Sequence, residues 1–162
     1  MITVKGRAAC RTAFDYSDEW IPIKMAWDIE QPRGMRYLRI SGKRGGEFEI
    51  KIDSSNGAIY QFIALELPTA EATITDRNAN DHLNSAPIID LSPWAEESVD
   101  TASVLPKYIT ADVGITRTDE FTIIAVQNSD VDEWLICGPV SVGVSKARTM
   151  VAIRLRPSSE DT

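Results

Sequence analysis

Few residues in this chain can do chemistry, and they do not converge. His82 is the single histidine of the 162 residues. One imidazole leaves one candidate general base and rules out the multi-histidine sites that hold catalytic zinc. It sits in the polar run Asn78-Ala-Asn-Asp-His82-Leu-Asn84, where a solvated loop histidine is the expectation. No GxSxG builds a nucleophile elbow. Lys43-Arg-Gly-Gly46 lacks the spacing that wraps phosphates and lies between two strands instead of opening a helix. Asn128-Ser-Asp130-Val-Asp132 begins like a calcium loop. It has Glu133 where the sharp turn needs Gly and Pro139 where a bidentate Glu is required. The adjacent carboxylates Asp18/Glu19, Glu96/Glu97, Asp119/Glu120 and Asp132/Glu133 would point to opposite faces on a strand, so they do not by themselves form an acid–base pair. The expectation is a protein without a catalytic site, metal or organic cofactor.

Cys10 and Cys137 lie far apart and form no CxxC. A disulfide between them stays open, but the reading adopted is two unpaired thiols in a reducing cytosol, hence a cytoplasmic protein. The start Met1-Ile-Thr-Val-Lys-Gly-Arg7 lacks the apolar stretch of a secretory signal, and no run approaches the roughly 18 apolar residues of a membrane span.

Positioning falls to strands. Ile21, Ile23, Met25, Trp27 and Ile29 alternate with Pro22, Lys24, Ala26, Asp28 and Glu30, the period of a half-buried strand. Met35–Ser41 follows. In Glu47–Asp53 the residues Phe48, Ile50 and Ile52 oppose Glu47, Glu49, Lys51 and Asp53. Asn56-Gly57 reverses the chain, and Ala58–Leu67 is apolar on both faces. Residues 20–68 therefore read as an antiparallel meander. Residues 69–108 read as a long irregular segment with one short strand at Pro87–Leu91 and a helical turn or two at Ser92–Glu97, capped by Ser92 with Pro93 in the first position. Strands resume at Tyr108–Ile115, Glu120–Val126, Glu133–Ile136, Val140–Val144 and Met150–Leu155. Val140, Val142, Val144, Val151, Ile153 and Leu155 are placed in the core. No internal sequence repeat of useful length appears. The fold class expected is mainly β: an antiparallel β-sandwich or partly open barrel in one domain, 1–156, with a disordered tail from 157 to 162.

Charge points to a partner. The net charge is −7, which argues against nucleic acid or an anionic membrane as ligand. Residues 61–133 carry three Lys/Arg and fourteen Asp/Glu, a net of −11, whereas residues 1–60 carry +2. Such a stretch is either a solubilising surface or an electrostatic footprint for a basic partner protein. On the second reading the contact residues are Glu96, Glu97, Asp130, Asp132 and Glu133, with Trp94 and Trp134 as anchors, since each tryptophan borders carboxylates at the edge of an irregular segment. The alternative is that both indoles plug the ends of the sandwich. Trp27, on the apolar face of its strand, belongs to the core.

Two segments resemble a known group. Glu47-Phe-Glu-Ile-Lys-Ile-Asp53-Ser-Ser-Asn-Gly57-Ala-Ile-Tyr60 resembles a strand, D-x-x-[TN]-G turn, strand hairpin. The run from Trp134 through Val140-Ser-Val-Gly-Val144 to Met150-Val-Ala-Ile153-Arg-Leu155 resembles a C-terminal hairpin closed by a short apolar strand. Both are similar to the small β-rich immunity proteins of bacterial polymorphic-toxin and contact-dependent inhibition systems. The resemblance implies an acidic, cytoplasmic protein that neutralises a cognate toxin domain, and it carries over no functional residue. A structural module of a phage or secretion apparatus, and a hydrolase or sugar-binding sandwich, are the alternatives.

Overall fold

The computed structural model describes residues 1–30, 33–94 and 106–157. Among them are fourteen strands and one 3-10 turn, Ser92–Trp94. No helix of the described residues is long and apolar enough to cross a membrane.

The first half of the chain forms β1 (Val4–Ala9), β2 (Ala13–Asp15), β3 (Ile23–Trp27), β4 (Met35–Gly42), β5 (Glu47–Asp53) and β6 (Ile59–Glu66). The second half forms β7 (Asn80–Leu83), β8 (Ser85–Ile89), β9 (Lys107–Ala111), β10 (Gly114–Arg117), β11 (Thr122–Ala125), β12 (Glu133–Cys137), β13 (Val140–Val144) and β14 (Met150–Leu155). Two six-stranded sheets result, ordered β2-β3-β6-β5-β4-β9 and β10-β11-β14-β13-β12-β7, with β1 and β8 as a separate antiparallel pair. The sheets face each other in a β-sandwich. One continuous core draws Met25, Trp27, Ile50 and Phe62 from the first sheet and Ile124, Leu135, Val142 and Ile153 from the second. Inside it the Phe48 and Phe62 rings stack at 5.5 Å.

The pairing departs from a simple meander. β4, β5 and β6 are hairpin neighbours, but β3 hydrogen-bonds to β6 and not to β4. This is Greek-key order. It places apolar β6, covered on both edges, between β3 and β5. The second sheet repeats the same order: β12, β13 and β14 are consecutive, and β11 returns beside β14. Each sheet ends in a short antiparallel edge strand on one side and a parallel strand on the other, β9 along β4 and β7 along β12. The duplicated architecture comes without a matching sequence repeat, because strand order constrains the apolar period and leaves the residues themselves free.

Several local expectations change. The stretch 69–108 contains β7 and β8, and Tyr108–Ile115 is two strands meeting at Asp112–Val113. Val151 is fully buried as expected, but in the second apolar cluster and not in the core between the sheets. The register shifts between Gly143 and Val144, so Met150 pairs Val144 and turns into the core between the sheets while Val151 joins the buried cluster on the other side of the second sheet. A bulge of this kind switches the face of every residue beyond it. Gly57 shows why the β5–β6 turn needs glycine: its φ is +81°, and a Cβ there would lie 2.1 Å from the Ile89 carbonyl oxygen. The tail residues 158–162 lie outside the described part.

The cysteines are not free thiols. Cys10, just after β1, and Cys137, at the end of β12, form a disulfide with Cα atoms 5.9 Å apart across a sequence separation of 127. Sequence distance concealed the pair, because β7 and β8 bring the first strand to the rim of the second sheet.

A candidate protein-interaction face

The two sheets treat their outer faces differently. On the second sheet, Trp134 and Ile136 of β12, Ala152 of β14 and Ile123 of β11 point away from the core and form a second apolar cluster with Val131, Ile74 and Ala79. The segment 70–79 supplies the cover. Its Ala70 carbonyl accepts from Ile115 N–H at 2.9 Å, and its Thr75 carbonyl accepts from Val131 N–H at 2.8 Å. The chain shields this face with itself.

The first sheet's outer face carries no such cluster among the described residues. Register aligns one row of side chains across five strands and the residue after β2: Tyr16, Lys24, buried Ile63, Glu49, Arg39 and Tyr108. A second row runs Phe14, Ala26, Gln61, Lys51 and Tyr37. On β5 the same period that buries Ile50 and Ile52 aims Glu49 and Lys51 outward. In the middle, Arg39 Nε donates to Glu49 at 2.6 Å and Lys51 lies 6.0 Å from the Tyr37 ring centroid. At the two ends, Tyr16 is 54% exposed, Phe14 45% and Tyr108 72%. Beside them, at the β2–β3 turn, Trp20 is the most exposed aromatic described. Tyrosine, phenylalanine and arginine are among the residue types enriched at protein interfaces.

The contact residues expected from the sequence fare unevenly. Trp94 is buried at the end of the 3-10 turn, its indole nitrogen without a hydrogen-bond partner among the described residues. Trp134 is 1% exposed and donates its indole N–H to Asp76 at 3.3 Å. Both indoles are internal to the fold, as plugs and not as surface anchors. Glu133 is held from two sides: His82 Nε2 lies 2.9 Å from one carboxylate oxygen, and Arg148 pairs with the other. Asp130 and Asp132 are exposed in the turn before β12. They share that rim with exposed Asp76 and Asp81, since Val131 bonds to Thr75 and Asp81 pairs Trp134. Glu96 and Glu97 lie outside the described residues.

Part of the acidic excess is thus engaged within the fold. Asp112 pairs with Arg44 at 3.0 Å. Asp90 accepts from the Ser92 backbone and hydroxyl, which hold its carboxyl below the usual carboxylate range. The Arg154 guanidinium is shifted down by burial, against the pull of Asp81 and Asp76. His82 is oriented by Glu133 on edge strand β7, and no group of metal-binding side chains assembles around it or elsewhere among the described residues.

No family model and no curated protein matches the chain.

Sequence reasoning missed Phe14, Tyr16, Trp20 and Tyr108. The available signal was weak: Phe14, Tyr16 and Trp20 fall within seven residues that also hold three carboxylates, a mixture unlike a core strand.

Proposed function

We propose that the chain is a protein-binding module that receives a basic partner on the outer face of its first sheet. The observation that carries this reading is the contrast between the faces. One is closed by residues 70–79, and the other leaves Phe14, Tyr16 and Tyr108 to solvent. Loops and faces on a rigid scaffold are where binding residues sit, and a set of exposed aromatics costs solubility unless a partner covers it. The net charge of −7 and the carboxylates Asp15, Asp18 and Glu19 at the β2–β3 end of that face favour a basic partner; the exposed rim of Asp76, Asp81, Asp130 and Asp132 lies on the second sheet and adds attraction only at long range.

In its finer form the module is an immunity protein that neutralises a toxin domain, the role implied by the resemblance of its hairpins. The disulfide alters where it would work. Free thiols would suit the cytosol; paired, Cys10 and Cys137 favour a compartment in which disulfides persist.

The test is affinity capture from the native host with the wild-type chain and with a Tyr16→Ser/Tyr108→Ser double variant. A basic partner retained by the first and lost by the second is the expected result. Capture indifferent to both tyrosines removes the face from consideration. Co-expression then decides the finer form: the wild-type chain should rescue cells from the captured domain, and a captured domain without toxicity retires the immunity role.

A further inference from the structure

We infer that the turn between β2 and β3 is a preformed plug for an arginine- or lysine-lined cleft on the partner protein; this rests on the reading of the first sheet as the docking face. Trp20 carries the argument. Its indole is 84% exposed, whereas Trp27, Trp94 and Trp134 are 2%, 4% and 1% exposed. A chain that buries three of its tryptophans leaves the fourth at the tip of a hairpin, adjoining the aromatic end of the face.

The turn that presents it is ordered by its own polar groups. Asp18 Oδ1 accepts from the backbone N–H groups of Trp20 and Ile21 at 2.8 and 2.7 Å, and Asp18 N–H donates to the Ile21 carbonyl at 2.9 Å. At the base, Tyr16 N–H donates to the Lys24 carbonyl at 2.7 Å and Lys24 N–H donates to the Ser17 hydroxyl at 3.0 Å. An already ordered turn loses less conformational freedom on docking, which favours affinity.

Its chemistry selects the partner. Residues 12–23 hold Asp15, Asp18 and Glu19 and no lysine or arginine. No cation pairs with these carboxylates among the described residues. An indole face is the best aromatic partner for a cation, and neighbouring carboxylates complete a site for guanidinium or ammonium. The same carboxylates repel phosphate. The Phe14 and Tyr16 rings meet at 40°, so the aromatics do not form the flat platform on which a sugar chain would lie. A basic protein cleft satisfies both the charge and the exposed indole.

Two measurements test this. A short polyarginine peptide is titrated into isotope-labelled protein while the four indole N–H resonances are followed. The expected result is a saturable shift at Trp20 with Trp94 and Trp134 unmoved, weakened about ten-fold by Glu19→Lys and little changed by Asp132→Lys. Shifts centred on the Asp130–Asp132 rim, or none that saturates at Trp20, overturn the proposal. With the partner captured through the face, Trp20→Ala should weaken binding about ten-fold or more while the circular dichroism stays that of the wild type. A partner lost by Tyr108→Ser but indifferent to Trp20→Ala leaves the face standing and removes the plug. Indifference to both removes both.

Discussion

The guanidinium of Arg154 lies 4.0 Å from the centroid of the Trp134 ring. Phe121 lies near the guanidinium too, its ring centroid at 4.8 Å, so the arginine packs on two aromatic rings on the outer side of the second sheet. Trp134 therefore has its indole N–H on Asp76, Arg154 over its ring and the rest of the side chain in an apolar cluster. A tryptophan so engaged is a structural residue of the sheet's cover. Trp134→Ala should cost about 3–5 kcal/mol, as large-to-small changes of a buried indole do. Arg154→Met, which keeps the stem and removes the cation, should cost about 1 kcal/mol. Chemical denaturation reads both, and comparable losses would show that stacking, not burial, holds Trp134.

Alternation in β5 makes a paired prediction. Ile50 is fully buried between the sheets and Lys51 is only half-buried on the outer face. Ile50→Ala should lose about 2–5 kcal/mol, and Lys51→Ala should stay within roughly 0.5 kcal/mol. Equal effects in urea titrations would contradict the register.

The disulfide closes most of the chain into one loop. Reducing it, or replacing both cysteines by serine, should destabilise the fold by about 2–5 kcal/mol, chiefly by enlarging the unfolded ensemble. Alkylation of the unfolded, unreduced protein should label neither Cys10 nor Cys137. Stoichiometric labelling would show that the bond does not form.

Asp90 should titrate low. Hydrogen bonds from the Ser92 backbone N–H, at 3.0 Å, and hydroxyl, at 2.9 Å, favour its charged form. A carboxyl lowered in the folded state adds stability that is present above the ordinary carboxylate range and lost as pH falls through the lowered value. The site is open to water, so the effect is small. Ser92→Ala should raise the Asp90 midpoint in a carbon-detected pH titration, and an unchanged midpoint would argue that the hydroxyl contributes nothing.

Steering separates long-range charge from contact. Asp130→Lys/Asp132→Lys should slow association with the captured partner several-fold and flatten its dependence on salt, leaving dissociation nearly unchanged. An association rate deaf to both salt and these reversals would reduce the acidic rim to a solubilising surface.

The β class, the position of β4, β5, β13 and β14, and the inward set Phe48, Ile50 and Ile52 were all legible in the sequence, because period-two alternation is written into consecutive residues. Partner choice is not written there. That β3 lies against β6, that β7 and β9 join in parallel, and that Cys10 meets Cys137 depend on segments tens of residues apart finding a common core. The same distinction separates the tryptophans. Local sequence put Trp94 and Trp134 among carboxylates and left two readings open, surface anchor or plug; residues 70–79 and Arg154 closing over Trp134, and the sandwich taking in Trp94, decided for the plug. It left Trp20 unplaced, and the Asp18 turn turned that indole to solvent. Burial is a property of what other parts of the chain arrive to cover a side chain, and for an amphipathic residue such as tryptophan only the assembled fold decides it.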